Sequence, residues 1–191
     1  LADLATYYLS QFTLPVIAVT GSVGKTSTKD LIASVLEAKY KVHKTQGNFN
    51  NEIGLPLTIF GLEKKHEVLV VEMGMNHFGE IHNLSKIAKP DIAVITNIGV
   101  SHIEHLGSRE GILKAKCEIL DGMSLDGTLI VNGEDDLLRH LTIDHELITY
   151  GRSPLHPYYA TDIQTIDTRA ISARIHTPTL DIGITIPTLG E

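Results

Sequence analysis

One short stretch, TGSVGKTSTKD from Thr20 to Asp30, gathers the residue types that hold phosphate. It follows an apolar run, VIAVT, and opens a segment of helical period carrying Leu31, Ile32, Val35 and Leu36 as its apolar positions. Strand, glycine turn and helix in that order form the setting a phosphate loop needs, because the turn then aims backbone amides along a helix N-terminus. Gly21, Ser22, Val23 and Gly24 would make the turn, with Lys25, Thr26 and Ser27 beginning the helix. Lys25 would place a cation on the outer phosphates of a nucleotide, and the Thr26 hydroxyl could ligate Mg²⁺. The general pattern has four residues between its glycines. Here only Ser22 and Val23 separate Gly21 from Gly24.

A second candidate is defined by its misfit. In EGILKAKCEIL, at about 100° per residue, Ile112, Leu113, Ala115, Ile119 and Leu120 share one stripe, and Lys116 falls in its middle. Lys114 points the other way, as a surface lysine should. An inward lysine is paired, neutralised, chemically modified, or snorkels to water past the stripe. Glu72 closes the run VLVVE and is a hard oxygen donor suited to Mg²⁺ beside nucleotide phosphates. His102 follows the run ending at Asn97 and should reach the same edge. With His105 it invites a zinc reading, but SHIEHLG lacks the spacing of zinc-helix motifs and no third ligand is evident, so zinc is set aside.

These side chains need a scaffold. Apolar, β-branched runs of strand length recur at 16 to 20, 68 to 72, 92 to 97, 128 to 132 and 146 to 150, separated in several places by helical periodicity. Their hydrophobicity is continuous rather than alternating, which implies strands covered on both faces: an α/β fold with a mostly parallel sheet flanked by helices. Thr20, Glu72, Asn97 and Asn132 each close such a run, and the carboxyl ends of parallel strands line the ligand crevice. The four should therefore gather on one edge. After Gly151 the pattern becomes a loop and then an alternation of Leu180, Ile182, Ile184 and Ile186, read as a small antiparallel β appendage. The resulting division is a linker and N-terminal helix over 1–14, a nucleotide-binding domain over 15–151, and a small β subdomain over 152–191.

The 191 residues, 42% hydrophobic, suffice for one main core. A formal charge of −7 without a block of like charges argues against nucleic acid or an anionic membrane as main partner. The one cysteine, Cys117, excludes an internal disulfide and a cysteine metal cage. No apolar run reaches the ~18 residues of a membrane span and no secretory leader is evident, so a cytoplasmic protein is the expectation. A start without methionine and an end at PTLGE suggest a piece of something longer.

The motifs TGSVGKTSTK, TQGNFNNEIGLPLT, VVEMGMNHFGEI, PDIAVITNIGVSHIEHLGSREGILKAKCEIL and VNGEDD, in this order from about Pro15 to Asp136, resemble those of the Mur ligase family, an ATP-dependent amide ligase family with a P-loop NTPase-like central domain. The two long blocks resemble the branch that adds D-alanyl-D-alanine to UDP-MurNAc-tripeptide in peptidoglycan synthesis. Branches adding single amino acids to muramyl peptides, or glutamate to folate, are the near alternatives. A nucleotide-binding module without catalysis is the distant one. The resemblance implies ATP as substrate, an acyl-phosphate intermediate and two Mg²⁺ sites. On matching positions it implies Lys25 at the β and γ phosphates, Thr26 and Glu72 on the first Mg²⁺, and His102 with Lys116 serving the second. Lys116 is implied to be carbamylated, and Asn51 and Asn97 to lie near phosphates and metals. The segment His105 to Arg109 would face substrate. The resemblance further implies a monomer whose flanking domains are absent from this chain, leaving the fragment alone inactive.

Overall fold

The computed structural model describes residues 1–167 and 170–187. Strands β1 (Val16–Thr20), β2 (Val42–Lys44), β3 (Val68–Glu72), β4 (Ile92–Ile95), β5 (Thr128–Asn132), β6 (Glu146–Gly151), β7 (Tyr158–Asp167), β8 (Ala170–His176) and β9 (Asp181–Pro187) form one sheet in the order 2-3-1-4-5-6-7-8-9. Pairings from β2 across to β7 are parallel, while β7–β8 and β8–β9 are antiparallel. The expected mostly parallel sheet with an antiparallel C-terminal appendage is thus present. The appendage continues the main sheet through the pairing of Tyr150 and Gly151 with Tyr158 and Tyr159. Residues 168–169 and 188–191 of the expected β subdomain lie outside the described residues.

Period-2 geometry assigns each strand residue to one of two faces. Val16, Ala18, Leu69, Val71, Ala93, Ile95, Leu129 and Val131 belong to the larger core. That core is covered by α1 (Ala2–Leu9), α3 (Gly54–Phe60), α4 (Glu80–Ala88) and α6 (Arg109–Cys117). Ile17, Val19, Val68, Val70 and Val94 face the other way, onto α2 (Lys25–Leu36). One helix is too narrow to cover that whole face. Every residue of β1 and β3 is buried, but β5 alternates buried with half-buried residues, and β6 has no fully buried residue. Continuous hydrophobicity therefore marks two-sided burial only in the central strands.

The apolar face of α2 also departs from expectation. Ile32 and Leu36 pack on the sheet as read, but Leu31 is 38% and Val35 74% exposed. Their place is taken by Ala33 and, unforeseen, Lys29, which is buried with its Nζ donating to the Thr45 carbonyl at 2.9 Å. No helix among the described residues is long and apolar enough to cross a membrane.

The chain leaves β1 toward β3 and β2 on one side, then returns to β4 on the other. β1 is therefore where strand order reverses, and the crevice at its carboxyl end is where an open α/β sheet binds ligands.

Candidate active site

At that crevice the glycine turn is stereochemically specified. Gly24 caps α2 in the left-handed region at φ 81°, and a Cβ on Gly21 would collide with the Thr96 hydroxyl. Asn97 holds the turn from the neighbouring strand: its Oδ1 accepts the Ser22 and Val23 amides at 3.1 and 2.9 Å. The Thr96 hydroxyl donates to the Val23 carbonyl at 2.6 Å. Lys25 Nζ donates to the Gly21 carbonyl at 3.0 Å, folding its ammonium back over the loop. The Ser22 and Val23 amides are thus taken by Asn97, and the first amides of α2, which have no partner within the helix, lie with the Lys25 ammonium at the place where phosphate would sit. Ser27 is exposed and makes no side-chain hydrogen bond among the described residues.

Strand register aligns the tips. Val19 lies opposite Glu72, Thr20 opposite Ile95, and Ile95 opposite Val131. Thr20, Glu72, Asn97 and Asn132 therefore end on the same edge of the sheet. Thr20 is turned inward, its hydroxyl donating to the Met73 carbonyl, and the Asn132 side chain accepts the Glu134 amide. Glu72 is buried, yet each carboxylate oxygen is bound: Oε2 accepts the Thr26 hydroxyl and Oε1 the Asn50 amide, both at 2.8 Å. Asn51, expected near the phosphates and metals, lines the same cleft as Lys25 and Lys116. The structure gives that side chain to the start of α3, where Oδ1 accepts the Ile53 and Gly54 amides, and puts Asn50 on Glu72. In the run NFNN nothing in the sequence ranks one asparagine over its neighbour.

Lys25, Asn50, Asn51, Gly74, Asn76, Glu80, His102 and Lys116 line one cleft of ≈ 210 Å³. Glu72 borders it through Asn50 and Thr26. His102 takes the left-handed conformation at φ 64° where the chain enters α5 (Ile103–Leu106), a strained state that a non-glycine residue holds only when its surroundings enforce it. Lys116 is 3% exposed, and no hydrogen-bond or ion-pair partner of its amine occurs among the described residues. Burial, with Lys25 adding repulsion, lowers its pKa to about 7. Lys114 is exposed and lies 5.9 Å over the Phe78 ring. The helical wheel thus separated the two lysines correctly.

Asn76 and Glu80, not singled out from sequence, reach the cleft because the chain after β3 loops over it before entering α4. Burial pushes the Glu80 carboxyl up, but hydrogen bonds from the Asn76 amide and His77 outweigh it and hold the pKa below its ordinary value. The His77 ring lies against that of His105, tilted by 36° with centroids 4.5 Å apart. Arg109, at the end of the segment expected to face substrate, forks onto Asp136 at 2.5 and 2.7 Å and donates to the Ile98 carbonyl. It ties the loop after β4 to the loop after β5. Among the described residues no three His, Cys, Asp or Glu side chains converge on a point. A cation here would draw on a hydroxyl, single side chains and ligand oxygens, the mixed oxygen set typical of Mg²⁺ with phosphates.

Residues 19–191 match the model of the Mur ligase middle domain. The chain is 51% identical, over 163 residues, to the UDP-N-acetylmuramoyl-tripeptide--D-alanyl-D-alanine ligase of Bacillus subtilis (strain 168), covering 85% of this chain and 35% of that protein. Among solved structures it superposes on MurF from Acinetobacter baumannii with a TM-score of 0.90 at 36% identity, covering 97% of this chain and 41% of the other. It also superposes on the MurF ligase from Thermotoga maritima in complex with ADP, with a TM-score of 0.87 at 34% identity, covering 96% and 43%. The chain spans between a third and a half of the length of these relatives.

Proposed function

The chain belongs to the Mur ligase family through its middle domain, and from that premise we propose that it is the ATP-binding core of a ligase joining D-alanyl-D-alanine to UDP-MurNAc-tripeptide. The observation that carries the reading is the shared cleft of Lys25, His102 and Lys116, bordered by a Glu72 that holds Thr26. A module that only bound nucleotide would have no use for a buried, partnerless lysine beside its phosphate loop.

In this reading the peptide carboxylate attacks the γ-phosphorus of ATP, ADP leaves, and the amine then attacks the acyl carbon, expelling phosphate and losing a proton. Lys25 turns from the Gly21 carbonyl to the β and γ phosphates, and the Ser22 and Val23 amides exchange Asn97 Oδ1 for phosphate oxygens. Asn97, released, stays within reach of the same oxygens. Thr26 and Glu72 suit a first Mg²⁺, and His102 with Lys116 a second; when bound, the ions would neutralise charge on the transferring phosphoryl group.

Lys116 serves as a carbamate. With a pKa of about 7 a large fraction of the amine is neutral at physiological pH, so its nitrogen can bond to the carbon of CO₂ and release a proton. The product carries one negative charge shared by two oxygens. Repulsion between Lys116 and Lys25 then becomes attraction, and a cationic wall becomes a metal-binding one. The same reading makes 15–151 the nucleotide-binding domain and 152–191 its small β subdomain, in a cytoplasmic monomer that needs its flanking domains for turnover. Assaying the full-length protein for ADP release with UDP-MurNAc-tripeptide tests it. We expect turnover with D-alanyl-D-alanine and at least ~100-fold less with single amino acids; the reverse preference would assign the chain to a neighbouring branch.

A further inference from the structure

Lys29 takes part in no step of the reading above, yet it is 2% exposed on the inner face of α2, beside Ala33. An uncharged chain of the same length would pack there without electrostatic cost, whereas a buried ammonium is expensive unless its partners offset the lost hydration. Among the described residues its amine meets two groups. The Thr45 carbonyl accepts from it at 2.9 Å, and the Asp30 carboxylate lies at 3.4 Å but is drawn closer to Lys44, at 2.7 Å. The better-made contact is thus to a backbone carbonyl just past the end of β2. Thr45 is fully buried and uses every polar group it has. Its amide donates to the Val70 carbonyl and its hydroxyl accepts the Glu72 amide, both at 3.0 Å, which leaves the carbonyl to Lys29. Farther along the same segment, Asn50 donates to Glu72 Oε1 at 2.8 Å and its carbonyl accepts the Gly74 amide at 2.8 Å. Thr26, one turn before Lys29 on the same face of α2, donates to Glu72 Oε2 at 2.8 Å. The helix therefore holds Glu72 by two routes: directly through Thr26, and through Lys29 by way of the segment that binds its backbone amide and its other oxygen.

We propose that Lys29 is a positioning residue for Glu72. By tying Thr45 to α2 it sets where the segment 45–50 leaves the sheet, and so the orientation in which Glu72 presents its carboxylate, beside Thr26, to a divalent cation that accompanies the nucleotide. This rests on the nucleotide-binding reading above, in which Thr26 and Glu72 suit one Mg²⁺. A lysine fits the task for two reasons. Its chain is long enough to span from the helix axis to the strand end, and a charged donor binds a carbonyl more strongly than a neutral one. Groups that orient a metal ligand by hydrogen bonding typically change metal affinity about 10–100-fold when they are removed. Lys29 stands one step behind such a group, since the carbonyl it holds belongs to the residue that binds the Glu72 amide.

The test is calorimetric titration of the full-length protein with ADP, in saturating Mg²⁺ and again in EDTA. Lys29→Met keeps the length of the side chain and removes the donor. With Mg²⁺ present we expect the Kd for ADP to rise about tenfold. In EDTA it should stay nearly unchanged, because Lys25 and the first amides of α2 are untouched. Equal rises in the two conditions, which is what a loss of folded protein produces, would overturn the proposal, as would no rise in either. A second variant, Asn50→Ala, checks the route: added to it, Lys29→Met should weaken Mg²⁺-dependent binding little further, since both act on one carboxylate, and fully additive losses would contradict the path through the segment 45–50. If Lys29→Met does not fold, Lys29→Gln carries the same test with the same expected split, its amide being one bond too short to reach the Thr45 carbonyl. A wild type whose ADP affinity ignores Mg²⁺ would strike the reading of Thr26 and Glu72 itself, whereas a Mg²⁺-dependent wild type with unmoved Lys29 variants strikes only the positioning role.

Discussion

Lys116 gains by losing its charge. Below pH ~7 the folded protein bears the full cost of a buried ammonium. Between about 7 and the ordinary 10.5 the unfolded chain holds a proton that the folded chain does not, so unfolding free energy rises with pH, by at most ~1.4 kcal/mol per unit. Urea unfolding at pH 6.5 and 9 in CO₂-depleted buffer should show this rise, and Lys116→Met should flatten it; equal slopes would mean that the amine reaches water. A second prediction concerns Gly21. A Cβ there meets Thr96, so Gly21→Ala should abolish detectable ADP binding by calorimetry while Gly183→Ala, with open space around it and no positive φ, should not. Lys116 was legible because one charged residue interrupts a periodic stripe. Asn50 and Lys29 were not, because the first depends on which of two adjacent amides faces Glu72. The second depends on a carbonyl, that of Thr45, sixteen residues away along the chain.

At the scale of elements, the two walls of the cleft are fastened to each other. The 3₁₀ turn Glu118–Gly122 continues α6, and Glu118 caps α4 from outside, both carboxylate oxygens accepting the Gly79 amide at 2.9 Å and one also that of His82. Ser85 donates to the Ile119 carbonyl and accepts the Gly122 amide, while Asp121 pairs with His82 at 2.7 Å. The helix bearing Lys116 therefore moves with the segment bearing Glu80. Glu118→Ala should cost ~1–2 kcal/mol, as loss of a charged N-cap does, and should speed amide exchange at Gly79 and His82 well beyond that at β1. Gly122→Ala places a Cβ against the Ser85 backbone and should cost more, about 2–3 kcal/mol in thermal unfolding. Strand identity was readable for β1, β3 and β5, where β-branched runs end in a polar residue. β2 escaped notice because three residues, none of them buried, carry no periodic signal.

For the molecule as a whole, the sheet collects groups that are far apart in sequence. Glu72 and Asn97 reach the loop and helix start around Lys25, through Thr26 and through Ser22 and Val23, because parallel strands all end on one side and β1 is the point where their order reverses; Lys116, on α6, lines the same cleft as Lys25. That rule made the edge legible before any coordinates. The half-open face over β5 and β6 was not legible, since apolar runs look alike whether one or two layers cover them. The most direct test of the whole arrangement is Lys116→Ala in the full-length protein, assayed by ADP release with and without added formate or acetate. A carbamate acting at the cleft gives activity lowered at least ~100-fold, as for removal of a principal electrostatic group, and partly restored by the small carboxylates. Undiminished activity without them would show that the chemistry does not pass through this residue.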